Sequence, residues 1–122
     1  MPGHLVPACR LTVTVFNGTL WRHRPLFSEI VRKAHRHGLR SASVLRGVEG
    51  YGAGGSIHTE RILSVSDRLP LLIVLVDDED RIHSFLRELD PRMDIESMVI
   101  DQVHGFRWSP EPGRGEGKAA GE

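Results

Sequence analysis

SASVLRGVEGYGAGGSIHTER, residues Ser41 to Arg61, is the stretch whose reading decides the fold. It opens as a strand, with Val44, Leu45 and Val48 among small residues. Five glycines follow within nine positions: Gly47, Gly50, Gly52, Gly54 and Gly55. After Ser56 the chain turns apolar and β-prone again through Ile57, Ile62, Leu63 and Val65. Glycine adopts positive φ without steric cost and loses the most backbone entropy on ordering. Two strands flanking such a cluster therefore predict a hairpin with a mobile tip. Arg46, Glu49, Tyr51, His58, Glu60 and Arg61 set both charge signs, an aromatic ring and an imidazole around that tip. They mark it as the candidate working part.

Upstream, Arg10 to Phe16 (RLTVTVF) alternates apolar and polar residues and predicts a half-buried strand. Asn17-Gly18 turns the chain into a long connection that leads to a helix. Pro25 suits the first helical position, where its missing N–H costs nothing. Leu26, Phe27, Ile30, Val31 and Ala34 form one stripe at helical spacing. Glu29 lies near the start and His35, Arg36 and His37 near the end, as the helix dipole favours, and Gly38 is the expected stop.

Downstream, the return arm RILSVS breaks at Asp67-Arg68 and resumes at Pro70 as LLIVLVD. This predicts one long bent strand, or two nearly collinear pieces, with a bulge at Ser66 to Leu69. Asp77 is placed to accept an N–H from the next helix's first turn, and Asp78, Glu79 and Asp80 favour that helix's positive end. Ile82, Phe85, Leu86 and Leu89 make its apolar stripe, and Asp90-Pro91 stops it. Glu96 to His104 (ESMVIDQVH) reads as the closing strand.

The order strand, helix, strand, strand, helix, strand predicts an α+β, ferredoxin-like sandwich (βαββαβ), with two helices on one face of a four-stranded antiparallel sheet. The central strand, Leu71 to Val76, is apolar on both faces, as in strands buried on both sides. Each large aliphatic left in water would forgo roughly 1.5–3 kcal/mol, so the open face is expected to pack against another subunit.

A chain of 122 residues suits one domain, expected here over residues 9–108. Residues 1–8, with two prolines and a glycine, read as a flexible leader. Residues 109–122 have no aliphatic larger than alanine and read as a disordered tail. Sixteen basic and sixteen acidic side chains cancel, so no global field draws the chain to nucleic acid or membrane. The single cysteine, Cys9, excludes an internal disulfide and fits a cytoplasmic location. The start lacks the pattern of a secretory signal, and the run Leu69 to Val76 is too short to cross a bilayer.

LRGVEGYG at Leu45 to Gly52, SIHTERIL at Ser56 to Leu63, LP with its aliphatic strand at Leu69 to Val76, and PLFSEIVRKAHRHGL at Pro25 to Leu39 closely resemble one family. It is the bacterial and archaeal domain of unknown function 190, PII-like, in the superfamily of nitrogen regulatory protein PII and CutA. The resemblance runs from about Leu11 to Trp108. It implies a ferredoxin-like protomer in a compact homotrimer, a signalling loop between the second and third strands, and nucleotides held between subunits. One departure is plain. PII proteins carry a glycine-rich, lysine-bearing phosphate loop before the last strand, and here that position reads DPRMDIES, Asp90 to Ser97. Family members found beside or fused to fluoride-exporter-like membrane proteins imply a link to ion homeostasis and a membrane-transporter client.

The residues themselves leave alternatives open. GYGAGGS lacks the lysine and hydroxyl ending of a P-loop, and a strand follows it, so a hairpin tip is the simpler reading. Arg46 and Arg61 either clamp an anion at the loop's base or pair with Glu49 or Glu60. His58 is a ligand or pH sensor, or a histidine bonded for structure. Tyr51 stacks on a base or touches a neighbouring subunit. The candidate ligand set is thus Arg46, Gly47, Glu49, Gly50, Tyr51, Gly52, His58 and Arg61. No HxxxH or Cys–His pair at ligand spacing points to metal, although CutA has been linked to metal tolerance. No nucleophile–base pair or carboxylate dyad points to catalysis. The expected function is a PII-like regulator or sensor of unassigned cofactor, with a nucleotide or other small anion as ligand. The alternative is a small-ligand or metal-binding trimer without a protein client.

Overall fold

In the computed structural model, residues 2–51, 57–59 and 69–109 are described. Strand β1 runs over Gly3–Phe16. It is followed by the two-residue ladder of β2 (Leu20–Trp21) and β3 (Arg24–Pro25). Helix α1 spans Leu26–His37 and strand β4 Ser41–Arg46. The short pair β5 (Glu49–Gly50) and β6 (His58–Thr59) leads to β7, Pro70–Asp77. Helix α2 covers Glu79–Leu86, and β8, Ser97–Trp108, closes the chain.

The main sheet has the order β4-β7-β1-β8, all antiparallel. This is the ferredoxin-like order, in which the central strands β1 and β7 come from opposite halves of the sequence. Both alternate. Cys9, Leu11, Val13 and Val15 on β1, with Leu71, Ile73 and Leu75 on β7, are buried on one face. There they meet Leu26, Ile30 and Ala34 of α1 and Ile82 and Phe85 of α2 in a single core. Cys9 is fully buried there. Burial pushes its thiol pKa up, and the nearby charges of Glu79 and Asp101 add to that.

The other face is bare. The register sets Leu72, Val74 and Val76 of β7 beside Thr14, Thr12 and Arg10 of β1 and beside Leu45, Ser43 and Ser41 of β4. Val99 of β8 stands opposite Thr12 and is 57% exposed, and Leu45 is 53% exposed. Ile73 therefore belongs to the core and Val74 to the bare face.

Local details correct several expectations. Gly3 to Ala8 are not a loose leader but the first half of β1, opposite Val103 to Trp108. Backbone pairing with an extended β8 satisfies their polar groups, so composition misjudged them. The closing strand accordingly reaches Trp108 rather than His104. Pro25 is the N-cap of α1, not its first helical residue, because it is held in the ladder opposite Leu20. Gly38 does end α1, at φ 85°, with its N–H on His35 O and that of Leu39 on Ala34 O, both at 3.1 Å. That is the reciprocal pattern of a Schellman stop. The expected bulge at Ser66 to Leu69 lies outside the described residues except for Leu69, whose carbonyl accepts the Asn17 N–H at 2.8 Å. Of residues 109–122, only Ser109 is described; its N–H donates to Pro2 O.

Candidate functional site

The glycine hairpin leaves the sheet where β4 and β7 meet. Arg46, the last residue of β4, stands opposite Leu71, and the Gly47 N–H donates to Pro70 O at 2.7 Å. A Cβ on Gly47 would lie 2.7 Å from Pro70 Cγ and 3.1 Å from Pro70 O. The two segments approach this closely only because residue 47 has no side chain. Gly50 repeats the theme more loosely, at 3.2 Å from Pro70 Cγ. Beyond it the ribbon narrows to two pairs, Glu49 opposite Thr59 and Gly50 opposite His58. Tyr51 follows at 72% exposure, flanked by exposed Val48 and Ile57.

Of the eight sequence-selected ligand residues, the fold thus brings Arg46, Gly47, Glu49, Gly50, Tyr51 and His58 onto one ribbon at one end of the sheet. Gly52 and Arg61 lie outside the described residues, and with them the suggested clamp by Arg46 and Arg61. Phe16 pairs with Pro70 at this end, and β8 begins there too, where the Glu96 N–H donates to Thr14 O at 2.8 Å.

The DPRMDIES segment lies beside that end and is closed on itself. Arg92 holds both oxygens of Asp90 through its guanidinium, and its backbone N–H adds a third bond at 2.8 Å. These contacts, side chain first, hold the Asp90 carboxyl well below the usual carboxylate range. Met93 is buried, and Trp21 has Arg22 at 4.9 Å and Arg92 at 5.9 Å from its ring centroid. Met93 also helps line an apolar groove of 470 Å³ with Leu86, Leu89, Ile95 and Met98.

At the opposite end of β7 sits the one buried charge among the described residues, Asp77. The sequence suggested it as a helix cap. Asp78 takes that place instead, its carbonyl accepting from Arg81 and Ile82 at 3.0 Å. Asp77 Oδ1 accepts the Asp78 N–H at 2.7 Å, and Oδ2 accepts the Arg40 N–H at 2.8 Å and Arg81 Nε at 3.2 Å. Arg81 also donates to Gly38 O. Burial pushes the carboxyl pKa up, but the N–H donors of Asp78 and Arg40, the Arg81 guanidinium and the Arg40 charge together hold it below its ordinary value. One carboxylate thereby joins the end of α1, the start of β4 and the start of α2. His37 belongs to the same join, with Nε2 3.1 Å from Ser84 Oγ and its ring edge-on to Phe85.

Among the described residues no three His, Cys, Asp or Glu side chains gather as a metal site would require. No described helix is long and apolar enough to cross a membrane.

Residues 8–105 match DUF190, described as "Uncharacterized ACR". The chain belongs to the DUF190 family. Relatives within reach include two UPF0166 proteins of Aquifex aeolicus (strain VF5). One is 37% identical over 60 residues, covering 49% of this chain and 62% of the relative. The other is 29% identical over 66 residues, covering 54% and 63%. Both matches span less than two thirds of the relative's length. Among solved structures, apo CPII from Thiomonas intermedia K12, a nitrogen regulatory PII-like protein, superposes with a TM-score of 0.58 at 13% identity, covering 86% of this chain and 98% of that one. CPII bound to ADP and bicarbonate gives 0.55 at 16%, covering 87% and 93%. The fold of this chain is therefore PII-like.

Sequence reading missed the role of Asp77 as a junction and the cationic neighbourhood of Arg40. Their partners are scattered along the chain, and no local pattern announces them. A charged residue ending a strand of seven apolar or proline residues, PLLIVLVD, was the available signal.

Proposed function

We propose that the protein is a PII-like regulator or sensor that acts by binding rather than catalysis, as a homotrimer in the cytoplasm. A small anion or nucleotide is held at the base of the Glu49 to His58 hairpin, and its binding orders the ribbon and changes the surface offered to a client, such as a membrane transporter. The observation that carries this reading is the bare sheet face. Leu45, Leu72, Val74 and Val99 form an apolar surface opposite a fully built core. A contiguous exposed apolar face marks an interaction surface, and copies of this chain are its expected occupants, as the family resemblance implies. The CPII relatives, one of them bound to ADP and bicarbonate, support the ligand class. Because the DPRMDIES segment has neither glycine nor lysine and is closed by Asp90 and Arg92, the anion would rely on Arg46 and the N–H groups of the ribbon.

The test joins assembly to ligand response. Size-exclusion chromatography with light scattering is expected to give three times the chain mass, and Val74→Asp to give monomers. Native mass spectrometry of freshly purified protein would report any carried ligand. Hydrogen exchange at residues 46–51 is then expected to slow with ADP or AMP in the wild type and not in Arg46→Ala, while β7 is unchanged. A monomeric wild type would overturn the assembly. Unaltered exchange across nucleotides and simple anions would overturn the hairpin site.

A further inference from the structure

Past Asp77 the central strand ends, but β1 and β8 continue side by side as a two-stranded ribbon, residues 3–8 against 103–108. Where this ribbon leaves the sheet there is a cavity of 390 Å³. That is within the range of pockets that hold small organic ligands, about 300–1,000 Å³. Its floor is aliphatic: Val6, Ala8 and Val76, all placed by the register on the bare side of the sheet. Arg40, Phe106 and Arg107 line its walls.

Two features point to a ligand. The first is charge. Arg10 is closed on Asp101 at 2.7 Å, and Asp77 is already satisfied by two backbone N–H groups and Arg81. Arg40 reaches Asp77 and Asp78 only at 3.5 Å, and Arg107 makes no ion pair among the described residues. One cation is thus left over in the cavity, with a second that can swing toward an anion. The second feature is Gly105, which also lines the cavity. Glycine inside a strand weakens it and often marks close approach by a ligand or another backbone. Here no close packing accounts for it, because a Cβ at this position would meet nothing within 4 Å, and its φ is not in the left-handed region. The missing side chain keeps the cavity open.

We propose that this cavity binds a small organic anion, a phosphate or carboxylate on an apolar ring or short chain. The head is held by Arg107 and Arg40, and the body lies over Val6, Ala8 and Val76 beside Phe106. A guanidinium grips either head through paired N–H donors. The site lies at the far end of β7 from the glycine hairpin, about 20 Å away along the strand, and does not rest on the hairpin reading.

Calorimetric titration of the full chain with phenyl phosphate, inorganic phosphate and benzyl alcohol tests this. Phenyl phosphate is expected to saturate one site per chain, at least about tenfold tighter than inorganic phosphate, with benzyl alcohol not binding measurably. Arg107→Ala is expected to weaken phenyl phosphate by roughly ten- to hundredfold, the loss of a charge-assisted hydrogen bond. Gly105→Leu is expected to abolish binding by filling the cavity. Circular dichroism and solution mass, unchanged in Arg107→Ala, keep the test valid should Gly105→Leu fail to fold. The proposal is overturned if phenyl phosphate does not bind. It is overturned equally if inorganic phosphate binds as tightly, or if Arg107→Ala leaves the affinity intact. A hairpin exchange response that survives Arg107→Ala would separate this site from the regulatory one.

Discussion

At the Asp77 end of the central strand, one buried carboxylate gathers donors from Arg40, Asp78 and Arg81 and ties two helices to the sheet. At the Pro70 end, backbone joins backbone from Gly47 to Pro70 and from Asn17 to Leu69, and the glycine at 47 leaves no side chain between itself and Pro70. Both ends satisfy their polar groups, but by different means. A buried ion with several hydrogen bonds is costly to disturb and holds one geometry. A glycine approach demands only that nothing be added, and Val48 and Tyr51 beyond it are exposed. A buried ionic junction at one end and a glycine approach at the other are expected to open at different free energies.

The contrast can be broken most severely at Asp77. Asp77→Ala removes acceptors from two backbone N–H groups and a guanidinium, and is expected to cost roughly 2–4 kcal/mol. Thermal melts should register this as a midpoint lower by about 10–20 °C. The sign of the pH dependence follows from the depressed pKa. A carboxyl whose folded pKa lies below its ordinary 3.8 contributes stability above that pH and loses it as pH falls toward the folded value. Wild-type urea midpoints should therefore decline below about pH 4, and Asp77→Asn should flatten that acid limb. An unchanged acid limb would mean that other carboxylates dominate it.

Gly47→Val is the corresponding probe of the other end. Its Cβ would press on Pro70 Cγ and the Pro70 carbonyl, for an expected loss of about 1–3 kcal/mol by overpacking. Exchange should rise at the Gly47 and Asn17 amides while the Arg40 and Asp78 amides stay protected. Equal deprotection at both ends would show that the sheet opens as one unit and erase the distinction. The smallest effect is expected at Gly38, where φ is 85° and alanine is strained by about 1 kcal/mol. Gly38→Ala should lower the midpoint by only a few degrees and leave the hairpin's exchange unaltered.

Much of this was legible along the chain. The alternation in β1, the stripe Leu26, Ile30, Ala34 and the stop at Gly38 each express a local period or a backbone requirement, and they stand where the residues put them. The glycine cluster likewise marked the departing ribbon, and six of its eight chosen residues lie together. Legibility failed where a partner distant in sequence decided the outcome. Gly3 to Ala8 look like a leader until β8 is seen beside them, and Pro25 looks like a helix start until Leu20 pairs with it.

The sequence by itself determined the element order, the two faces of β1, and a central strand apolar on both sides, so that the open side of the sheet had to be apolar. Side-chain period is set by backbone geometry and needs no partner to be read. Tertiary structure alone decided that Arg40, Asp77 and Arg81 share one junction and that Gly47 lies against Pro70. It alone set Val6, Arg40, Gly105 and Arg107 around one cavity. Each of these is a meeting of segments far apart in the chain. Such meetings are fixed by strand register and packing, which no single stretch of residues contains.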